Sequence, residues 1–217
     1  MCRLVAGMAK TLHTNTPVLL ESEFPAGDLP ERAQVVIVGG GIAGCSVAFH
    51  LARQGWKDVL LLEAGSVASG TTWHSAGQVG QLRASASQTR INRASAELYA
   101  ELGASAGWLQ CGGLQLASCE ERWTQLQRQA AMAELFKVEA DLLGPREIAD
   151  RWPAIETRDL HGGIWLPGDG RVVPGPCALE LARRSGVPVR EHTSVEAILH
   201  TDGTITGVRT DRGDVEA

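Results

Sequence analysis

Three consecutive glycines, Gly39-Gly40-Gly41, stand between an apolar run and an amphipathic segment, and they limit what this chain can become more than any other feature. Gln34-Val35-Val36-Ile37-Val38 is β-branched and does not alternate, as expected of a parallel strand covered on both faces. From Ile42 to Gln54 the period becomes helical, with Gly44, Ala48, Leu51 and Ala52 on one face and Gly55 placed to end the helix. Asp58-Val59-Leu60-Leu61-Leu62-Glu63 is a second apolar run that closes on an acid. Together they make a β-α-β unit of about thirty residues.

Within that unit, Gly39-Gly40-Gly41-Ile42-Ala43-Gly44 fits G-x-G-x-x-G. Gly39 permits the tight turn off the strand, Gly41 lets a pyrophosphate approach the backbone, and Gly44 lets helix and strand pack closely. The N–H groups at a helix start favour the bound anion. Glu63 is placed to accept from ribose hydroxyls, and its charge disfavours a 2′-phosphate. With both strands, the helix and the acid in register, the segment predicts dinucleotide binding. It does not by itself separate FAD from NAD.

Composition narrows the remainder. The 217 residues carry a formal charge of −5 without a basic run, which speaks against a dedicated nucleic-acid binder. No stretch approaches the roughly 20 apolar residues of a membrane helix. Cys2, Cys45, Cys111, Cys119 and Cys177 form no C-x-x-C pair and, with the histidines, no zinc spacing, so they read as packing residues of a reducing compartment. Residues 1–31, with Pro17, Pro25 and Pro30, read as a loosely ordered leader without a convincing secretory signal.

The segment after Glu63 speaks for FAD. Ser66-Val67-Ala68-Ser69-Gly70-Thr71-Thr72-Trp73-His74-Ser75-Ala76-Gly77 is rich in hydroxyls and glycine where an NAD-binding unit proceeds to another helix and strand. Ser69, Thr71, Thr72 and the backbone offer donors behind the pyrophosphate site, suited to carrying an extended cofactor inward.

Gly70-Thr71-Thr72-Trp73-His74-Ser75-Ala76-Gly77 together with the β-α-β unit resembles the FAD-dependent oxidoreductases of the D-amino-acid-oxidase type, most of all the dimethylglycine dehydrogenase and sarcosine dehydrogenase branch. Gly107-Trp108-Leu109-Gln110, Gly112-Gly113-Leu114 and Pro167-Gly168-Asp169-Gly170 extend the resemblance across residues 33–217. It implies an α/β fold: a Rossmann-like FAD-binding domain over 32–106 and 172–217, interleaved with part of an α+β substrate domain over 107–171. It implies covalent attachment of FAD through His74, an imidazole being able to offer a neutral nitrogen near pH 7, and contact of the backbone near Val195 with the adenine. A further meander strand, a closing strand and helix, and most of the substrate domain are expected beyond residue 217, so the chain reads as a fragment of a larger enzyme.

The implied reaction is oxidation of the C–N bond of an N-methylated amino acid such as sarcosine or dimethylglycine, with electron-transfer flavoprotein and tetrahydrofolate as partners. The implied compartment is the mitochondrial matrix for a eukaryotic source and the cytoplasm for a bacterial one. No catalytic residue is identifiable. A non-catalytic regulatory relative, like the pyruvate dehydrogenase phosphatase regulatory subunit, and a plain NAD enzyme stand as alternatives, the first disfavoured by Trp73-His74. Arg83 reads either as a partner for a substrate carboxylate or, more simply, as a solvated arginine; Asp169 reads as a turn residue.

The remaining pattern predicts helices over 87–102, 120–134 and 176–185 and a short one from Pro145. It predicts strands at 112–118, 163–167 and 187–190, and a hairpin of 195–199 with 204–209 turning at Asp202-Gly203.

Overall fold

The two apolar runs around the glycines become strands that pair in parallel, β1 (Val35–Val38) and β2 (Val59–Leu62), with helix α1 (Ile42–Arg53) crossing between them. The computed structural model describes Phe24 and residues 27–217. Most of the expected leader lies outside the described residues, but its last part is engaged: Glu31 O accepts from Glu216 N at 3.0 Å, and Arg190 Nε donates to Asp28 O at 3.0 Å.

Beyond β2 the chain forms a 3₁₀ turn (Thr71–His74), β3 (Gln78–Val79), α2 (Ala86–Leu102), a second 3₁₀ turn (Gly103–Ala106) and β4 (Gly113–Ala117). Then come α3 (Glu120–Leu135), β5 (Asp141–Leu143), α4 (Pro145–Arg151), β6 (Gly162–Leu166) and β7 (Gly170–Arg171). The last stretch holds α5 (Pro174–Ser185), β8 (Val189–Arg190), β9 (Val195–Thr201), β10 (Thr204–Thr210) and β11 (Gly213–Glu216).

The strand β8 joins β2 in parallel, Leu61 opposite Val189 and Leu62 opposite Arg190, giving the order β1-β2-β8. Every residue of β2 is buried because the sheet is covered twice. On one face α1 and α5 close over Val59 and Leu61 with Cys45, Ala48, Phe49, Ala178 and Leu181. On the other, Leu60 and Leu62 meet Val208 and Val215 of the antiparallel meander β9-β10-β11. Burial of leucines of this kind contributes about 1.5–3 kcal/mol each. A second core, Leu126, Ala133, Ile164 and Leu166 among its members, lies between α3 and the antiparallel sheet β4-β6-β5. The two-residue pair β3-β7 is antiparallel.

Several details differ from the sequence pattern. The meander's further strand, expected only beyond residue 217, is already present as β11, pairing Val208 with Val215. β5 belongs to none of the predicted elements; three residues are too few to show alternation, and it pairs with β6. The helix α5 starts two residues early, with Pro174 in its first turn. On α2, Leu98 and Leu102 pack into the core as a helical period would place them, Ile91 is 65% exposed, and Thr89 and Ala96 are buried. The Thr89 hydroxyl satisfies itself against Ser85 O at 3.0 Å and Arg83 O at 3.2 Å, which makes a polar residue fit an inward position. No helix among the described residues is long and apolar enough to cross a membrane.

Candidate active site

The site begins where β1 ends. Gly39 has φ +101°, a conformation side chains resist, and its N–H donates to Leu62 O at 2.7 Å. The next residues turn into α1, whose first turn contains no acid. Of the N–H groups left without helical partners there, that of Ile42 donates to Thr72 Oγ1 at 2.9 Å. Thr72 is buried and comes from the histidine loop, 30 residues away in sequence. This one bond ties the 71–74 turn to the helix start. Replacing Thr72 with valine is expected to cost about 1 kcal/mol in urea unfolding, as loss of a helix-capping oxygen does, whereas serine should hold within about 0.5 kcal/mol.

Glu63 caps the neighbouring strand end. Its Oε2 accepts from Gly40 N at 2.6 Å and its Oε1 from Gly65 N at 2.7 Å, which fixes a half-buried carboxylate beside the glycine turn. Each oxygen retains acceptor capacity for a ribose hydroxyl. Ala68, itself at φ +65°, donates its N–H to Gly40 O at 2.9 Å, and Ser69 N donates to Ser66 O at 3.0 Å. Ser69, Thr71 and His74 are exposed. Val195 opens β9 opposite Thr210, two residues after Thr193, whose N–H donates to Glu63 O at 2.9 Å. The glycines, Glu63, Thr72 and Val195 are therefore gathered at the carboxyl ends of β1, β2 and β8, the edge where open parallel sheets bind ligands. The His74 ring is not part of the cavity wall described next.

From Ile42 and Thr72 a cavity of about 230 Å³ runs along Ser75, Val79, Tyr99 and Cys177. A second, of about 490 Å³, shares Val79, Gly80 and Arg83 with it and reaches Gln115, Gln129 and Asp169. Arg83 is exposed yet lines both. Burial pushes the Cys45 thiol up to about 12, with the Glu63 charge adding to it, and the Cys177 thiol up to about 11. Both stay protonated near pH 7 and act as packing.

Two acids carry more than the sequence suggests. Asp169 is a buried carboxylate, only 6% exposed, and its Oδ1 accepts from Gln81 N at 2.8 Å. Its flanking glycines suggest a turn, and one forms, with Asp169 N donating to Leu166 O at 3.1 Å; Gly113 makes room for the side chain, since a Cβ there would lie 2.7 Å from Asp169 Oδ2. Burial raises its pKa from the ordinary aspartate value, partly countered by the Gln81 N–H and the Arg83 charge. The folded-state value thus lies above the unfolded one, so the ionised form costs stability above the folded pKa and costs nothing below the unfolded one. Asp169→Asn keeps an acceptor for Gln81 and is expected to raise Tm at pH 7–8. The gain should close as pH falls toward 4, in melting curves taken across that range. The second acid, Glu191, is 2% exposed, and its Oε1 accepts from Val67 N at 2.6 Å.

These features fit FAD. The turn at Gly39, the acid-free helix start and the acceptor capacity of Glu63 suit an ADP moiety, and the cavity leading away from Thr72 extends the site past the pyrophosphate position. The FAD dependent oxidoreductase family, DAO, matches residues 34–217. Over 195 residues the chain is 36% identical to the mitochondrial pyruvate dehydrogenase phosphatase regulatory subunit of Mus musculus, covering 87% of this chain and 22% of that protein. It is 34% identical over 220 residues to the mitochondrial sarcosine dehydrogenase of Homo sapiens, covering 95% and 24%. Among solved structures, L-proline dehydrogenase from P. horikoshii superposes with a TM-score of 0.81 at 27% identity, over 87% of this chain and 51% of that one. The chain thus spans under a quarter of these curated relatives and about half of the solved one. With its family profile matched from Gln34 to the last residue, the chain belongs to the FAD-dependent oxidoreductases of the DAO family.

Proposed function

We propose that this chain supplies the FAD-binding part of an enzyme that oxidises the C–N bond of an N-methylated amino acid, sarcosine or dimethylglycine being the type of substrate, with the flavin bonded to His74. FAD, when bound, supplies the acceptor for the hydride leaving the N-methyl carbon. Gly39, Gly41 and Gly44 hold the turn open to the pyrophosphate, Glu63 accepts from the ribose, and backbone near Val195 meets the adenine. The observation that carries the reading is the bond from Ile42 N to Thr72 Oγ1 at 2.9 Å. It anchors the histidine-bearing turn on the helix start, two residues before the exposed His74. Similarity to a sarcosine dehydrogenase supports the substrate class, and Arg83, between the two cavities, suits a substrate carboxylate. Electron-transfer flavoprotein and tetrahydrofolate are the proposed partners, and a mitochondrial or bacterial cytoplasmic setting goes with them.

The second reading is a regulatory protein without turnover, favoured by the similarity to the phosphatase regulatory subunit. The two separate on one measurement. After loading with FAD and precipitation in acid, the pellet of a covalent flavoprotein fluoresces as flavin; a loaded chain whose pellet is colourless is not tethered, which would favour the regulatory reading.

A further inference from the structure

Glu191 has no part in the site as proposed so far, yet its place is unusual. It follows β8, and because Leu62 stands opposite Arg190, Glu63 and Glu191 occupy the next positions at the carboxyl ends of adjacent parallel strands. Two acids side by side at an anion-binding edge need separate donors, and each has its own. Glu63 takes the N–H groups of Gly40 and Gly65. Glu191 takes that of Val67 at 2.6 Å, a bond buried inside the protein. The backbone is laid to serve this. Glu63 N donates to Arg190 O at 2.9 Å, His192 N to Gly65 O at 3.0 Å and Thr193 N to Glu63 O at 2.9 Å. His192 is held at φ +52°, a conformation that a non-glycine residue keeps only when its surroundings over-determine it.

Val67 lies between two anchored points. Gly65 is held by Glu63, and Ala68 is held by Gly40 O. The chain then runs directly into the 71–74 turn, whose Thr72 meets the helix start. We infer that Glu191 is a positioning residue for the flavin half of the cofactor: by fixing Val67 it sets the path of residues 66–70 and therefore where the 71–74 turn stands against the glycines. The inference rests on the FAD reading for its consequence, but its structural part is independent of any ligand. Glu191 acts through the loop and is not assigned a contact with substrate or cofactor.

The test uses the full 217-residue chain with Glu191→Ala, Glu191→Met (similar volume, no oxygen acceptor) and Glu191→Gln. Hydrogen exchange without ligand should show the amides of 66–70 exchanging at least tenfold faster in the Ala and Met variants, with Gln close to the parent. FAD and ADP titrations should then separate. The Kd for FAD should rise at least tenfold in Ala and Met, while that for ADP, whose ribose contacts rest on Glu63, stays within threefold; Gln should rescue FAD binding. Unchanged exchange at 66–70, or equal loss of FAD and ADP, overturns the inference. If the parent binds neither nucleotide, the FAD reading fails, and the exchange comparison still decides whether Glu191 holds the loop.

Discussion

Changing Gly44 to alanine is expected to cost about 3 kcal/mol and to remove nucleotide binding, despite alanine being the better helix former. In a helix interior the exchange normally gains about 1 kcal/mol. Here the new Cβ would lie 1.9 Å from Gly39 O and 3.2 Å from Gly39 C. Both are backbone atoms, so no rotamer change relieves the overlap, and either the helix retreats from β1 or the Gly39 turn is rebuilt. Over-packing of this kind falls at the upper end of the usual 1–3 kcal/mol. Gly41→Ala is the informative companion. Its Cβ would meet only Thr72 Oγ1, at 3.2 Å, which a small shift relieves. It should therefore cost under about 1 kcal/mol in urea unfolding while still weakening FAD, since the methyl group occupies the approach to the helix start. Equal stability losses for the two alanines would contradict the close-packing account.

The second large effect concerns the tether. His74→Ala is expected to lower the acid-stable flavin from near-complete to background in loaded protein. The ADP affinity should stay within about threefold, because the Ile42–Thr72 bond and the Glu63 contacts are untouched. Since His74 is exposed, its removal leaves no cavity and little stability should be lost. Retention of acid-stable flavin in this variant would move the attachment to another residue.

How far the sequence reveals this molecule depends on how local the cause is. β1, α1, β2 and Glu63 are set by neighbours within thirty residues, and strand period, helix period and glycine placement are all visible there. The Asp202-Gly203 hairpin is equally local, with φ of +51° and +79° at its two turn residues. Asp169 shows the opposite case. Between two glycines it has the composition of a turn, and the reason it is buried lies at Gly113, in another strand. Glu191 is one acid among many until the parallel pairing of β8 with β2 sets it next to Glu63. On α2 the period places Leu98 and Leu102 inward, but the burial of Thr89 is not visible in it, because a hydroxyl with two backbone acceptors passes for a polar surface residue. In the candidate site, the glycines and Glu63 were legible by motif, and the His74 loop by resemblance. The carboxylate that pins that loop could not be read without the fold.

The bond from Val67 to Glu191 spans 124 positions of the chain. A ribosome adds about 5–20 residues per second, so the loop emerges roughly 6–25 s before the acid that secures it. During translation the glycine turn and its histidine are therefore made early and finished late. If Glu191 places the 71–74 turn as inferred, full affinity for FAD is reached only after β8 has been made, and a pause after that strand should raise the yield of loaded protein more than one placed after the glycines.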